Sequence, residues 1–591
     1  MIRPDADRLV LIGLSLLLGS LVGCDEATES TPPRRLLSLE RSQSYRQGAT
    51  VRRLVDAPVP SDLRETVKVP VNGRLLIGFG IQHGDDPTER GTVEVSIAAV
   101  SEGVEDVLFR TQTPAQGAAN AWREKVVDLA GHERKTVELS FRARLTDPVA
   151  VAGPGGARVR WQLPVLHSAP QLGDRPNLIV IAIDTLRSDH LTSYGYEQNT
   201  SPAIASLASR GVVFEQAFSQ APWTLPSFAS LFTGLRPARH GVVNKSNALS
   251  DQVATLPGTL HEAGYYTAGF HDGGYVSHAH GFHHAFDLYE RVQGLRGVPR
   301  VLDWIREHRS VPFFLFIHSY DVHAPYGSVP QSYRDRFASK GAQSRFDLVN
   351  EKPAQIFRKL RTEFEEGDYS RMKELYDSEV RFVDDQLGHF FGVLDELQLS
   401  DRTIVILLSD HGEEFGDHGR FEHHNGNVYR ELSQIPLVIS GPGIAHGRRT
   451  QELVETVDVL PTVLELLGID RGAAEGIDGT SLVPLLYERE RAGERTKRYA
   501  FTQTHDYGGA RALRTEDWTL IESDNHEPQL FDRRIDPGET VDVKDAHPDV
   551  VELLGSTLSE LAAGSPREDT STGADMDEET RADLRALGYI E

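Results

Sequence analysis

The chain reads as an α/β protein: a central, mostly parallel sheet sandwiched by helices, with an all-β region ahead of it. Three observations carry that reading. Continuous apolar runs at 178–183, 313–317 and 404–408 suit strands buried on both faces, the pattern of parallel sheets. Apolar residues at 372, 375, 376, 380, 383, 387, 390, 391 and 394 form a helical stripe that would pack on such a sheet. Between about 60 and 168, short alternations such as Thr92-Val-Glu-Val-Ser-Ile and Thr136-Val-Glu-Leu-Ser-Phe predict half-buried antiparallel strands punctuated by Gly and Pro.

The first element is a targeting segment. Residues 9–23 are apolar and end in Leu21-Val-Gly-Cys24. The run is too short to span a bilayer and suits a signal peptide. Leu-Val-Gly-Cys resembles a bacterial lipobox, which predicts lipidation of Cys24 and a cell-envelope location, on the outer side of the cytoplasmic membrane or on the outer membrane. Cys24 is the sole cysteine, so no internal disulfide forms. Residues 25–55 read as a linker. A jelly-roll-like β-sandwich is expected over 56–168. It could bind a glycan or act as a spacer, and Trp122 and Trp161 read as core residues in preference to ligand contacts.

The chain has 591 residues, enough for two or three units. Its 39% hydrophobic content supports a normal core, and its formal charge of −25 argues against nucleic acid as a partner.

Two apolar runs end in carboxylates. One leads into Asp184, the other into Ser409-Asp410-His411-Gly412-Glu413. Ligands of parallel sheets gather beyond the carboxyl ends of the strands, and oxygen plus imidazole donors suit a divalent cation. Two strand-end aspartates capping loops are the plain alternative. Between the two runs lies Thr224-Leu-Pro226-Ser227, a turn leading into a helix with Pro226 in its first turn. Thr224 would precede the helix N-terminus, where backbone N–H groups favour an anionic oxygen. It is a candidate nucleophile, or an ordinary N-cap threonine.

Taken in order, Asp184-Thr-Leu-Arg-Ser-Asp, Thr224-Leu-Pro-Ser, Thr233-Gly234, His240-Gly241, Asp321-Val-His323-Ala-Pro325, Ser409-Asp-His-Gly-Glu413 and Asp478-Gly-Thr-Ser-Leu resemble the sulfatase branch of the alkaline phosphatase superfamily. The resemblance covers about residues 175 to 560. It implies an alkaline-phosphatase-like catalytic domain over 174–490, a small C-terminal α+β subdomain over 491–563, and a tail over 564–591, mobile from 564 to 579. Sulfatases carry Cys or Ser in a Cys/Ser-x-Pro-Ser/Ala-Arg signature, where that residue becomes formylglycine. Here Thr224 stands at that place and Phe228 replaces the arginine, so no formylglycine is expected. The usual Asp-Asp pair is Asp184-Thr185.

Relatives with a threonine nucleophile, such as nucleotide pyrophosphatase/phosphodiesterases and phosphoethanolamine transferases, attack phosphorus. By this resemblance Asp184, Asp410 and His411 ligate a divalent metal (Zn or Mn favoured, Ca possible), and metal-bound Thr224 attacks. Asn244 would donate to a non-bridging oxygen, and His323 would contact the transferred group. Asp321 and His318 could add a second metal, although His318 reads more readily as a satisfied strand-end histidine. One of His423 and His424 would replace the family's lysine as general acid or ligand, with His424 preferred. The implied function is a metal-dependent hydrolase or transferase of phosphate or sulfate esters, phosphoester favoured. The alternatives are a sulfuric ester hydrolase working without formylglycine and an inactive glycan-binding surface lipoprotein. Its partners would be an anionic ester, glycan- or lipid-linked, and a membrane reached through the lipid anchor.

Overall fold

The computed structural model describes residues 34–36, 43–47, 50–82, 92–114, 122–146, 157–162, 164–168, 175–339, 366–423, 426–470, 476–487, 499–505, 509–564, 570–587 and 589. Cys24 and His424 lie outside them.

Asn177–Ile183 is the central strand. It pairs in parallel with Phe313–Ser319 on one side and Thr403–Leu408 on the other. Beyond Phe313–Ser319 come Tyr266–His271 and Leu288–Arg291, also parallel. Beyond Thr403–Leu408 the strand Gln434–Ser440 runs antiparallel. Every residue of Asn177–Ile183 is buried, which is why the run is apolar without alternation. Ile179, Ile181 and Ile183 face a core shared with helices Val298–His308 and Glu366–Glu396. Leu178, Val180 and Ala182 face a second core with helices Thr224–Thr233 and Val459–Leu466. The predicted stripe from Met372 to Leu394 is buried throughout, as its helical spacing requires.

The N-terminal strands pack as two sheets around one apolar core that contains Phe79, Phe141 and fully buried Trp161. Trp161 is therefore a core residue. One of these sheets is continuous with the central one: Thr50–Pro58 pairs antiparallel with Leu288–Arg291, so that fifteen described strands form a single sheet. The stretch expected as a linker to residue 55 thus contains strands Gln43–Gln47 and Thr50–Pro58. The segment's Val51 and Leu54 are buried, which favours strand pairing over a solvated tether.

The predicted C-terminal subdomain is a four-stranded antiparallel sheet from Ala500–Gln503 to His526–Asp532, covered by helix Pro548–Ala562. The tail is not free. Ser571–Gly573 pairs with Asn247–Leu249, and Glu578–Ala586 is helical. No helix among the described residues is long and apolar enough to cross a membrane.

Candidate active site

Parallel pairing aligns the carboxyl ends of three strands. Ala182 sits opposite both Leu408 and His318, so Asp184, Asp410-His411 and His318 emerge side by side. Asp184, Asp410 and His411 each offer a donor atom within 4.8 Å of the others, and all three are buried. His411 Nε2 lies 3.4 Å from Asp410 Oδ2 and 3.7 Å from Asp184 Oδ1. His411 Nδ1 donates to the Gly412 carbonyl at 2.8 Å, which leaves the Nε2 lone pair aimed into the cluster.

This donor set fits a divalent cation. Asp184 Oδ1 and Asp410 Oδ2 are buried with no hydrogen-bond partner among the described residues, an arrangement that a positive ion would satisfy. Burial first, and then the neighbouring Asp410, pushes the Asp184 carboxyl well above the usual range. Burial also raises Asp410.

Thr224 is the first residue of its helix. Its Oγ1 lies 3.3 Å from Asp184 Oδ2 and 3.4 Å from His411 Nε2. The helix is held in place by Ser227, whose hydroxyl donates to the Asp410 carbonyl at 2.7 Å. Phe228 packs edge-on against His318, Phe316 and Phe282. His318 Nε2 is 3.5 Å from Asp184 Oδ2, and burial pushes the His318 imidazole down to about 3. Thr185 adopts φ +57°, uncommon for a β-branched residue. The neighbours hold it there: its N–H donates to Asp410 Oδ1 at 3.3 Å and its hydroxyl to the Val322 carbonyl at 3.1 Å.

A second group faces Thr224. His323 Nδ1 donates to the Ala324 carbonyl at 2.5 Å, so Nε2 points inward; burial pushes this imidazole down to about 4. His423 Nδ1 bonds to Glu413 Oε1 at 2.9 Å, and Tyr326 donates to Glu413 Oε2 at 2.7 Å. The His411 and His423 rings are 4.5 Å apart.

Residues 176–469 match the sulfatase family, and residues 416–563 match the family described as N-sulphoglucosamine sulphohydrolase, C-terminal. The chain belongs to the sulfatase family. It is 25% identical to arylsulfatase K of Gallus gallus over 452 residues, covering 66% of this chain and 83% of that one. It is 23% identical to choline-sulfatase of Rhizobium meliloti, with 61% and 81% covered. Among solved structures, the phosphonate monoester hydrolase of Agrobacterium radiobacter superposes with a TM-score of 0.55 at 19% identity, over 68% of this chain and all of that one. The protein is therefore a sulfatase-family hydrolase acting on ester bonds.

Within this sulfatase-family site, Asp184, Thr224, His318, His323, Asp410, His411 and His423 come together. Two predicted residues do not. The Asp321 carboxylate is taken by Arg296 and by the Leu295 N–H at 2.6 Å, a guanidinium and an amide that satisfy it away from Asp184, Asp410 and His411. Asn244 is exposed in a turn closed by Asn247. Sequence reasoning missed Glu413 as the partner of His423, and it missed Tyr589. The Tyr589 hydroxyl lies 3.1 Å from Thr224 Oγ1. Its signal was the pattern Asp583-Leu-Arg-Ala-Leu-Gly588-Tyr589, a helix end with glycine followed by an aromatic.

Proposed function

We propose that this sulfatase-family chain is a metal-dependent hydrolase that cleaves phosphate or phosphonate esters in preference to sulfate esters, with Thr224 as nucleophile. The observation that carries this reading is the contact of Thr224 Oγ1 with both Asp184 and His411 at the start of a helix. Threonine cannot supply the formylglycine aldehyde, whereas its hydroxyl can attack phosphorus directly.

A divalent cation held by Asp184, Asp410 and His411, Zn or Mn by donor type with Ca as the alternative, would acidify the Thr224 hydroxyl and offset charge on the ester oxygens. Thr224 Oγ1 passes its proton to Asp184 Oδ2, 3.3 Å away, and forms the bond to phosphorus as the bond to the leaving ester oxygen breaks; the proton returns to Oγ1 when water later frees the threonine. His423, braced by Glu413, donates the proton to that oxygen and later takes one from the water that cleaves the phosphothreonine. His323 Nε2 and the backbone N–H groups at the helix start hold the transferred group. Sulfate esters are the second reading, favoured by relatives such as arylsulfatase K and choline-sulfatase. An anionic ester on a glycan or lipid, reached by a chain anchored through Cys24 to the bacterial envelope, completes the proposal.

The test is turnover of aryl phosphate monoesters and diesters against aryl sulfate, by protein lacking residues 1–24, with Zn, Mn or Ca. Phosphoester turnover that is lost on chelation, together with a phosphate adduct on Thr224 seen by mass spectrometry, is the expected result. Sulfate turnover without phosphate turnover sinks it.

A further inference from the structure

The C-terminal segment brings Tyr589 into the site. Tyr589 is 5% exposed. Its hydroxyl lies 3.1 Å from Thr224 Oγ1, 3.0 Å from His323 Nε2 and 2.9 Å from His423 Nε2. Its ring packs edge-on against Tyr275, and its carbonyl accepts from Lys245 Nζ at 3.0 Å.

Reacting atoms must approach to about 3–3.5 Å before attack. A phosphorus or sulfur centre at that distance from Thr224 Oγ1 would carry its oxygens toward His323 and His423. The Tyr589 oxygen already fills that place and uses the same three partners. Two oxygens cannot share it, so phenol and ester are mutually exclusive.

The anchors behind Tyr589 suit release. Helix Glu578–Ala586 is tied to Arg291 through Glu579 at 2.7 Å and Asp583 at 2.5 Å. The Arg291 and Glu579 side chains are 32% and 40% exposed, and exposed ion pairs hold weakly. Asp583 also accepts the Gly274 N–H at 3.4 Å, and Leu584 is the buried apolar contact of this helix. The strand pair Ser571–Gly573 with Asn247–Leu249 keeps the segment beside the site when the helix lifts.

We propose that the C-terminal segment is an intramolecular competitor of the ester: Tyr589 occupies the position of the transferred group and must withdraw before substrate enters. The inference rests on the reading of Thr224 as the attacking group, but its test does not need turnover.

Binding of inorganic phosphate and of sulfate, with Zn present, would be measured by calorimetry on the full chain and on Tyr589→Gly, Tyr589→Phe and Arg291→Ala. A site open a tenth of the time binds about tenfold more weakly than a permanently open one. Tyr589→Gly should therefore gain about tenfold in anion affinity and lose the same factor in KM, Tyr589→Phe should gain less, and Arg291→Ala, away from the reacting atoms, should move in the same direction. Anion binding to the full chain should speed hydrogen exchange in residues 571–587. Unchanged or weaker anion affinity in both Tyr589→Gly and Arg291→Ala overturns the proposal, as does no anion binding by any variant. A fall in kcat for Tyr589→Gly with unaltered anion affinity would make Tyr589 a catalytic residue and also overturn it. Affinity gains without turnover of any ester would keep the competitor while refuting the phosphoesterase reading.

Discussion

Thr224 Oγ1 sits 3.3 Å from Asp184 Oδ2, a contact between the first residue of a helix and the residue that follows the central strand. Both side chains are fully buried, so neither has bulk water to compete for its hydrogen bonds. Thr224→Ala should reduce ester turnover by at least about 10³-fold, as loss of a nucleophile does, while leaving the circular dichroism spectrum unchanged. Thr224→Ser keeps the hydroxyl and should retain most of the lost rate. Steady-state kinetics on the three proteins checks the ordering; an alanine variant as fast as the serine variant would remove Thr224 from the reaction.

His423 and Glu413 act as a pair. His423→Ala should lower kcat by about 10²–10⁴-fold, the usual contribution of a general acid or base. Glu413→Gln leaves His423 in place but weakens its orientation, and a loss of about 10–100-fold is expected. The adjacent His424→Ala should lose far less than His423→Ala. A reversal of that order in parallel kcat measurements would reassign the role to His424.

Phe228 occupies a place where an arginine should fail. Its ring is enclosed by Phe282, Phe316 and His318 and has no exposed surface. Phe228→Arg places a guanidinium among rings, none of which offers a compensating negative charge. Denaturant unfolding should show a loss of at least about 3 kcal/mol. A variant as stable as the parent would mean that the charge finds a partner that the present packing does not provide.

Glu124 joins the N-terminal strands to helix Val298–His308. Its Oε2 is 2.7 Å from His308 Nε2, and its Oε1 accepts from Trp122 Nε1 at 2.7 Å and Tyr266 OH at 3.1 Å. Burial opposes the charge, yet His308 and Arg52 hold this carboxyl down at about 2. A depressed carboxyl stabilises the fold above its unfolded value of 4.5 and loses that contribution as pH falls toward 2. Glu124→Gln should therefore cost about 3 kcal/mol at pH 7 and nearly nothing at pH 2. Unfolding free energies of both proteins across that range give the answer, and a pH-independent difference would rule out the charge as the cause.

The parts of the site that were legible in the sequence are those whose signals are local. Asp184 and Asp410 stand out because each ends an apolar run, and parallel pairing then leaves them few places to go. Thr224 was legible because Pro226 marks a helix start. Asp321 misled because its fate depends on Arg296, brought to it by a turn that no spacing rule predicts. Asn244 misled because an offset of twenty residues says nothing about which side of a turn faces Asp184 and Asp410. The pattern before Tyr589 marks a helix end but not where it docks, and that docking and the pairing of Thr50–Pro58 with Leu288–Arg291 were illegible for the same reason: each is a contact across hundreds of residues, decided by which groups are left to cover an edge or fill a cavity.

That strand pairing bears on how the protein can be cut. A fragment starting near residue 170 would keep Asp184, Asp410, His411 and Thr224, yet it would expose the N–H and C=O groups of Leu288–Arg291 that Thr50–Pro58 now satisfies. Bare strand edges recruit other chains. Trimming the molecule to its sulfatase half should therefore raise its tendency to self-associate, because the N-terminal strands cap an edge of the sheet that carries the site.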